Sequence, residues 1–300
     1  MFDYDSFTSR NIGFITPDEQ LSLKKAKVFI PGVGGMGGVA ITCLARAGVE
    51  NFTIADFDEF EVSNLNRQAF ATLNSLGKDK AKTTSENLKL INPNIQVQIK
   101  GKEWVEELDH ILPNINFVIN GCDDTLATIQ LMRAAKKYNI TVIDAFASTL
   151  PNVYVVKPGD PRPEKTFNFP SQNKDIQNIN SDDVQLCAQK EVEYVLTHSN
   201  TAKHVVLEVA AEMVTGERSR ISFSPMVWMT GCLMAYEAVK VILKKPNQLA
   251  DYRGVFINPW TFKVERPHCF IVGKIKSYFV RRFINGLLKD KSLDLRKINA

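Results

Sequence analysis

The distribution of apolar and polar positions changes period along the chain, and the changes predict alternating strands and helices. Val28-Phe29-Ile30 is an unbroken apolar run between Lys27 and Pro31, the pattern of a strand covered on both faces. A glycine-rich stretch follows, then Met36 to Arg46 with helical spacing; Phe52 to Ala55 predicts a second strand and Lys80 to Leu90 a further helix. Ile95 to Ile99, Phe117 to Ile119 and Thr141 to Ile143 predict three more strands, with helices around Glu103 to Ile111 and Thr125 to Tyr138 between them. Ahead of the first strand, Thr16-Pro17-Asp18-Glu19 sets a capping hydroxyl, an N1 proline and an N3 carboxylate in the order that satisfies a helix start. Short apolar strands separated by helices predict a doubly wound, mostly parallel α/β sheet of Rossmann-like form.

After Ala147 the rhythm changes. Asn152 to Val156 predicts a strand ended by Pro158, and Pro158 to Asp183, rich in Pro, Asn, Asp and Lys, predicts a long loop. Helical segments are expected at Gln189 to Leu196, Lys203 to Val214 and Met226 to Leu243, and strands at Val255 to Ile257 and Phe262 to Val264. The expected organisation is an N-terminal arm and helix (1–26), a nucleotide-binding half (27–150) and a crossover loop with the C-terminal half of the same domain (151–270), the latter adding a smaller mixed, antiparallel extension. A basic amphipathic tail (271–300) completes it.

Composition refines this picture without redrawing it. The 300 residues are 44% hydrophobic, enough for a sizeable core, yet no run approaches a membrane span. The N-terminus lacks the basic-then-apolar order of a secretory signal, so a cytoplasmic location is expected. Five cysteines without a Cys-x-x-Cys pair argue against a disulfide framework and against a structural zinc. The net charge is +4, but the tail carries eight basic residues against Asp290 and Asp294, which places +6 there and leaves −2 on the remainder. Ile275, Tyr278, Phe279, Phe283, Ile284, Leu287 and Leu288 have helical spacing within that tail. Packing on the body is the expectation for it, and membrane contact stays open. No aromatic-plus-basic RNA module is visible, so nucleic acid is not an expected partner.

Candidate chemistry gathers where strands end. Pro31-Gly32-Val33-Gly34-Gly35-Met36-Gly37-Gly38 lets the backbone turn sharply and lets phosphates approach a helix N-terminus. ATP and NAD both fit this loop: Gly32-x-Gly34-x-x-Gly37 matches the dinucleotide fingerprint, and Asp56, 19 residues after Gly37, stands where an acid holds ribose hydroxyls. Asn64, Arg67 and Lys80 add an amide donor and two cations where a triphosphate tail would lie, and this extra positive charge points to ATP. Gly121-Cys122-Asp123-Asp124 puts carboxylates at the carboxyl edge of the sheet, and Asp123 is a candidate Mg²⁺ ligand.

In combination these motifs resemble the ThiF/MoeB group of ubiquitin-activating-type adenylyltransferases. The resemblance rests on Ser9-Arg10-Asn11, Gly32-x-Gly34-Gly35-x-Gly37, Asp56-x-Asp58, Ser63-Asn64-Leu65-Asn66-Arg67-Gln68, Gly77-x-x-Lys80 and Gly121-Cys122-Asp123. Met226 to Leu243, with Gly231 and Glu237-Ala238-Val239-Lys240, looks like the closing helix of that group. Such a resemblance, running from Arg10 to Lys244, implies an enzyme that uses ATP and Mg²⁺ to adenylate the C-terminal carboxylate of a ubiquitin-like or sulfur-carrier protein or peptide, releasing pyrophosphate. It also implies a homodimer in which Arg10 reaches the ATP of the other subunit. Gly32, Gly34, Gly35, Gly37, Asp56 and Asp58 would bind the nucleotide, Asp56 at the ribose. Asn64, Arg67 and Lys80 would hold phosphates, Asp123 would place Mg²⁺, and Arg67, Lys80, Asp123 and Arg10 would serve the catalytic step.

Two departures from the group stand out. Some members hold a zinc with two Cys-x-x-Cys pairs, which this chain lacks, so no structural metal is expected. Some also take the activated carboxylate onto a cysteine; Cys187 is the candidate here for a thioester, weighed against the preferred reading of an inert, semi-buried thiol. The loop Pro158 to Asp183 would cross over the active site and clamp the substrate tail, with a disordered surface excursion as the competing reading. Rival functions are a same-fold enzyme that activates a modified tRNA base carboxylate, an inactive scaffold subunit of an activating complex, and an NAD-binding oxidoreductase. Arg67, Lys80 and Asp123 speak against the last.

Overall fold

The computed structural model describes every residue except 207, 208, 210, 211, 213–217, 219, 246–249, 299 and 300, and for 287–298 the backbone alone. Its strands are β1 Lys27–Pro31, β2 Asn51–Ala55, β3 Gln96–Lys100, β4 Phe117–Ile119, β5 Thr141–Asp144, β6 Asn152–Val156, β7 Val255–Asn258 and β8 Lys263–Glu265. Among the described residues they form one sheet in the order β3-β2-β1-β4-β5-β6-β7-β8. The first five are parallel, and β6 to β8 continue the sheet antiparallel. The fold is therefore the mixed α/β architecture that the sequence pattern implies, with the antiparallel part at the C-terminal side.

Burial on both faces explains the unbroken apolar runs. Along β1, Val28 and Ile30 join one core with Phe52, Ile54 and Phe117, while Phe29 enters the other core beside Trp104 and Val118. The principal helices are α2 Pro17–Lys25, α3 Gly35–Arg46, α4 Lys80–Ile91, α6 Thr125–Lys137, α8 Ser181–His198, α9 Ser224–Ile242 and α10 Phe270–Ile298; α1 Tyr4–Thr8, α5 Leu108–Ile111 and α7 Pro163–Thr166 are short. Thr16 and Glu19 form the capping box foreseen for α2. Helix α9 lies on α3, and Gly231 permits the approach, since a Cβ there would stand 2.6 Å from Cβ of Val39. Among the described residues no helix is long and apolar enough to cross a membrane.

Three expectations need correction. The helix around Glu103 to Ile111 is a 3₁₀ turn, Lys102–Val105, followed by the four-residue α5, because Trp104, Leu108 and Ile111 must all reach the core and Pro113 stops further helix. The long loop ends at Asn180 rather than Asp183, because Asn180 and Asp183 form a capping box that starts α8. Of the helix expected at Lys203 to Val214, Thr201–His204 is a 3₁₀ turn and most of the remainder lies outside the described residues.

The loop after Pro158 is packed rather than a surface excursion. Phe167, Phe169 and Ile179 are buried in the second core. Glu164, 1% exposed, receives Arg133 of α6 through Nε at 3.0 Å and Nη2 at 2.7 Å, and Arg133 also donates to the carbonyls of Ser171 and Lys174. Burial pushes the Glu164 carboxyl up, but Arg133 and Ser171 outweigh it and hold it below its ordinary value. This strap leaves β6 at the amino edge of β5, since Val156 pairs with Val142, and is pinned to the third turn of α6, about 12 Å along from its start. It thus runs along the flank of α6 and not across the carboxyl edge of the sheet.

Candidate nucleotide site

The strand order reverses between β1 and β4, and the segments leaving their carboxyl ends carry the two glycine-containing loops. Gly32 adopts φ +82°, and a Cβ there would run into the carbonyl of Gly121, so the two loops touch backbone to backbone. The Gly32 amide donates to the Ala55 carbonyl and the Gly121 amide to the Pro31 carbonyl, continuing the ladder past both strand ends. Helix α3 then starts at Gly35 with Gly34 as its N-cap and no side chain capping it, which leaves the helix N-terminus open to an anion.

Asp56 follows β2 directly. Its carboxylate accepts from the Val33 amide at 2.9 Å and from the Asp58 amide at 3.1 Å, which fixes it against the glycine loop. Burial raises its pKa, opposed by those two amides and by Lys80. Lys80 is itself buried and extends its ammonium to Asp58 at 2.9 Å; Asp58 is exposed. This pair holds the Lys80 head at the rim of the site.

The segment 63–68 closes one side. Arg67 donates from Nη1 to the Ser63 carbonyl at 2.8 Å and to Asn66 at 2.9 Å, and its Nε lies 4.0 Å from where a Gly35 Cβ would be, over the start of α3. Asn64 is buried, with its amide engaged by Ser63 and by the Glu61 backbone, so it shapes the turn that presents Arg67. Gln68 is buried against Gly34, and its Oε1 has no hydrogen-bond partner. On the opposite side Asp123 is exposed, while Asp124 caps α6 by accepting from the Ala127 amide at 2.7 Å.

Gly32, Gly34, Gly35, Gly37, Asp56, Asp58, Asn64, Arg67, Lys80 and Asp123 therefore converge on one edge of the sheet, and two candidates do not. Arg10 is exposed beside the arm contact in which Asn11 donates to the Ala47 carbonyl, at the opposite end of α3, a helix about 18 Å long, from the glycine loop. Cys187 is fully buried in α8, 3.7 Å from the Ser171 hydroxyl, with its thiol pushed up by burial; this is the environment of a core residue. Sequence reasoning also missed residues at the rim. The stretch before α9, not the strap, comes to the site: Arg220 donates to the Asp123 carbonyl at 3.2 Å and the Ser222 carbonyl accepts from Asn66. Trp228 on α9 donates its indole N–H to the Arg67 carbonyl at 3.0 Å. Only an excess of polar and basic residues in 217–222 hinted at this.

An uncapped helix N-terminus, a buried acid after β2 and two cations meet at a topological switch point, the place where open α/β sheets take their ligands. The model of the ThiF family matches residues 8–271, and the chain belongs to that family. It is 28% identical over 231 residues to the molybdopterin-synthase adenylyltransferase of Haemophilus influenzae, covering 76% of this chain and 79% of that one. Over 130 residues it is 34% identical to the tRNA threonylcarbamoyladenosine dehydratase of the same organism, 43% of this chain and 50% of the other. Over 122 residues it is 34% identical to the sulfur carrier protein ThiS adenylyltransferase of Escherichia coli, 40% and 48% of the two chains. The chain thus spans about half the length of these last two relatives. The crystal structure of E. coli MccB with AMPCPP and selenomethionyl MccA shares the fold, with a TM-score of 0.64 at 18% identity over 89% of this chain and 73% of MccB.

Proposed function

We propose that this ThiF-family adenylyltransferase activates the C-terminal carboxylate of a ubiquitin-like or sulfur-carrier protein or of a peptide, consuming MgATP and releasing pyrophosphate. The observation that carries the reading is the convergence of the α3 N-terminus, Asp56, Arg67, Lys80 and Asp123 on one sheet edge, in a chain aligned over 76% of its length with a molybdopterin-synthase adenylyltransferase. In the reaction a carboxylate oxygen attacks the α-phosphorus, an O–P bond forms, and the α–β bridging bond breaks to release pyrophosphate. The attacking carboxylate is repelled by the polyphosphate, so the protein contributes mainly positioning and positive charge. Asp56 would hold the ribose, the α3 amides and Arg67 the phosphates, and Lys80, held at the rim by Asp58, the departing pyrophosphate. Among the described residues no three His, Cys, Asp or Glu cluster as a metal site. A single exposed carboxylate such as Asp123 fits Mg²⁺ that arrives with the nucleotide, because Mg²⁺ takes one or two protein carboxylates and completes its shell with phosphate and water. Since Arg10 lies far from the glycine loop of its own chain, its participation requires a second subunit, and a homodimer is part of the proposal.

The 34% identity to the dehydratase supports a second reading, in which the carboxylate belongs to a modified tRNA base. Pyrophosphate exchange into ATP separates the two, with a ThiS-type carrier, the MccA peptide and tRNA each supplied as the carboxylate. Exchange with a carrier or peptide is the expected result. Arg67→Ala and Asp123→Ala should each lower it on the order of 10²-fold, the scale for a charge that acts in the transition state. Wild-type exchange in both variants would refute the assignment of the site.

A further inference from the structure

Behind the Asp123 loop lies a buried polar chain that the nucleotide motifs do not include. Asp144, the last residue of β5, is buried and accepts three hydrogen bonds: from the Tyr154 hydroxyl on β6 at 2.6 Å, from Asn120 Nδ2 at 3.0 Å and from the Ala145 amide at 2.7 Å. Asn120 follows β4 directly. Its second Nδ2 proton goes to Thr128 of α6 at 3.1 Å, and its Oδ1 accepts from the Cys122 amide at 3.3 Å. The loop beyond is held at each end: the Gly121 amide donates to Pro31, the Asp124 amide to the Cys122 sulfur, and the Asp124 carboxylate caps α6. Asn120 is therefore the side chain through which the sheet sets the backbone at Cys122, one residue before Asp123.

An asparagine amide can face either way, and Asp144 decides which. An ionised carboxylate is acceptor-only, so it requires Nδ2 on its side and leaves Oδ1 for the Cys122 amide. A protonated Asp144 donates as well, and a hydroxyl offered to Oδ1 turns the amide over and sets Nδ2 against the Cys122 N–H, donor against donor. We propose that Asp144, through Asn120 and with Tyr154 as its second support, is a positioning residue that fixes the Asp123 loop for MgATP, and that its charge state switches the loop between an aligned and a released form. The inference rests on the nucleotide-site reading above.

The surroundings place this switch near neutrality. Burial pushes the Asp144 carboxyl up to about 7, opposed by Asn120, Tyr154 and the Ala145 amide and assisted by Glu191 of α8, whose Oε1 accepts from the Ala147 amide. Tyr154 and Cys122 are the other titratable groups that face it; both are raised by burial and stay neutral through this range. The aligned form is thus the one that gains as pH rises.

The experiment measures a fluorescent ATP analogue binding to the full chain between pH 6 and 8.5, with Mg²⁺ and with EDTA, in wild type, Asp144→Asn and Tyr154→Phe. Amide hydrogen exchange of residues 120–127 is followed on the same samples. The Mg²⁺-dependent part of the affinity should grow roughly tenfold across the range in wild type. Asp144→Asn should hold it flat at the low-pH level, with faster exchange at Cys122. Tyr154→Phe, which removes one donor to the carboxylate, should keep the rise but move its midpoint up by about one pH unit. Wild-type pH dependence in Asp144→Asn, or an unmoved midpoint in Tyr154→Phe, overturns the inference even if one variant folds poorly. If wild type binds no nucleotide, the nucleotide reading fails separately, and hydrogen exchange alone then decides whether Asp144 governs the loop.

Discussion

A carboxyl group that sits in the core while its neighbours supply only neutral donors costs stability, and Asp144 shows how much a single residue carries. Its ordinary value is 3.8, and burial pushes it up to about 7. Between those values the native chain binds the proton more tightly than the unfolded chain, so the stability linked to this group is complete below about pH 4. It is lost as pH rises through about 7, by at most about 4 kcal/mol. Urea unfolding of Asp144→Asn should therefore gain on wild type between pH 5 and pH 8, whatever offset the lost hydrogen bonds impose at both values; parallel curves would contradict it. Cys187 is the opposite case. Buried in α8 and pushed up in pKa, it should tolerate change to Ser without loss of transfer of the activated carboxylate to its final acceptor, and a loss of transfer with pyrophosphate exchange and the fold intact would return it to the site.

At the scale of elements, two contacts decide where the functional loops stand. The Arg133–Glu164 pair fastens the strap to α6. Glu164→Ala would leave Arg133 without its counter-ion in a site that is largely dry, a change that costs about 3–5 kcal/mol for buried pairs. A lower urea midpoint and new tryptic cleavage within 158–180 are expected, and unchanged cleavage would mean that Phe167 and Phe169 hold the strap alone. The other contact joins α9 to α3. Gly231→Val would place side-chain atoms within 3 Å of Val39 and of the Met36 carbonyl, an overpacking of about 1–3 kcal/mol. Because α3 carries the glycine loop at its start, the proposed phosphate site predicts that a fall in melting temperature comes with weaker ATP binding. A fall in stability with ATP affinity intact would separate packing from function.

For the molecule as a whole, the arm and the site stand at opposite ends of α3. Arg10 and Arg67 sit near opposite ends of α3, so if both act on one ATP they must come from different subunits. Mixing inactive Arg10→Ala with inactive Arg67→Ala after subunit exchange should restore about a quarter of wild-type exchange activity, as random two-fold assembly allows one intact site per mixed dimer. No recovery, together with a monomeric mass in solution, would remove Arg10 from the site. The basic helix α10 docks on α8 by Arg281 and Ser277 reaching Glu193, away from the nucleotide loops. Its contribution should be to the stability of α8 rather than to ATP binding.

The sequence by itself determined most of the elements and the glycine loop. A strand buried on both faces writes itself as an apolar run, and a glycine loop before a helix is specified within a dozen residues, so β1, β2, β4, β5, β6 and α3 were all legible. Local chemistry did not contain the rest. Asn120 just past the end of β4, Asp144 at the end of β5 and Tyr154 on β6 meet only because the sheet sets β4, β5 and β6 side by side in one register. Arg220 is 97 residues from Asp123, and the strap read as a cover for the site runs down α6 because the antiparallel β6 delivers it to the amino edge of the sheet. Tertiary structure decided these points for one physical reason: a hydrogen bond or ion pair between distant residues is set by how strands and helices pack, and that packing leaves no period in the sequence around either partner.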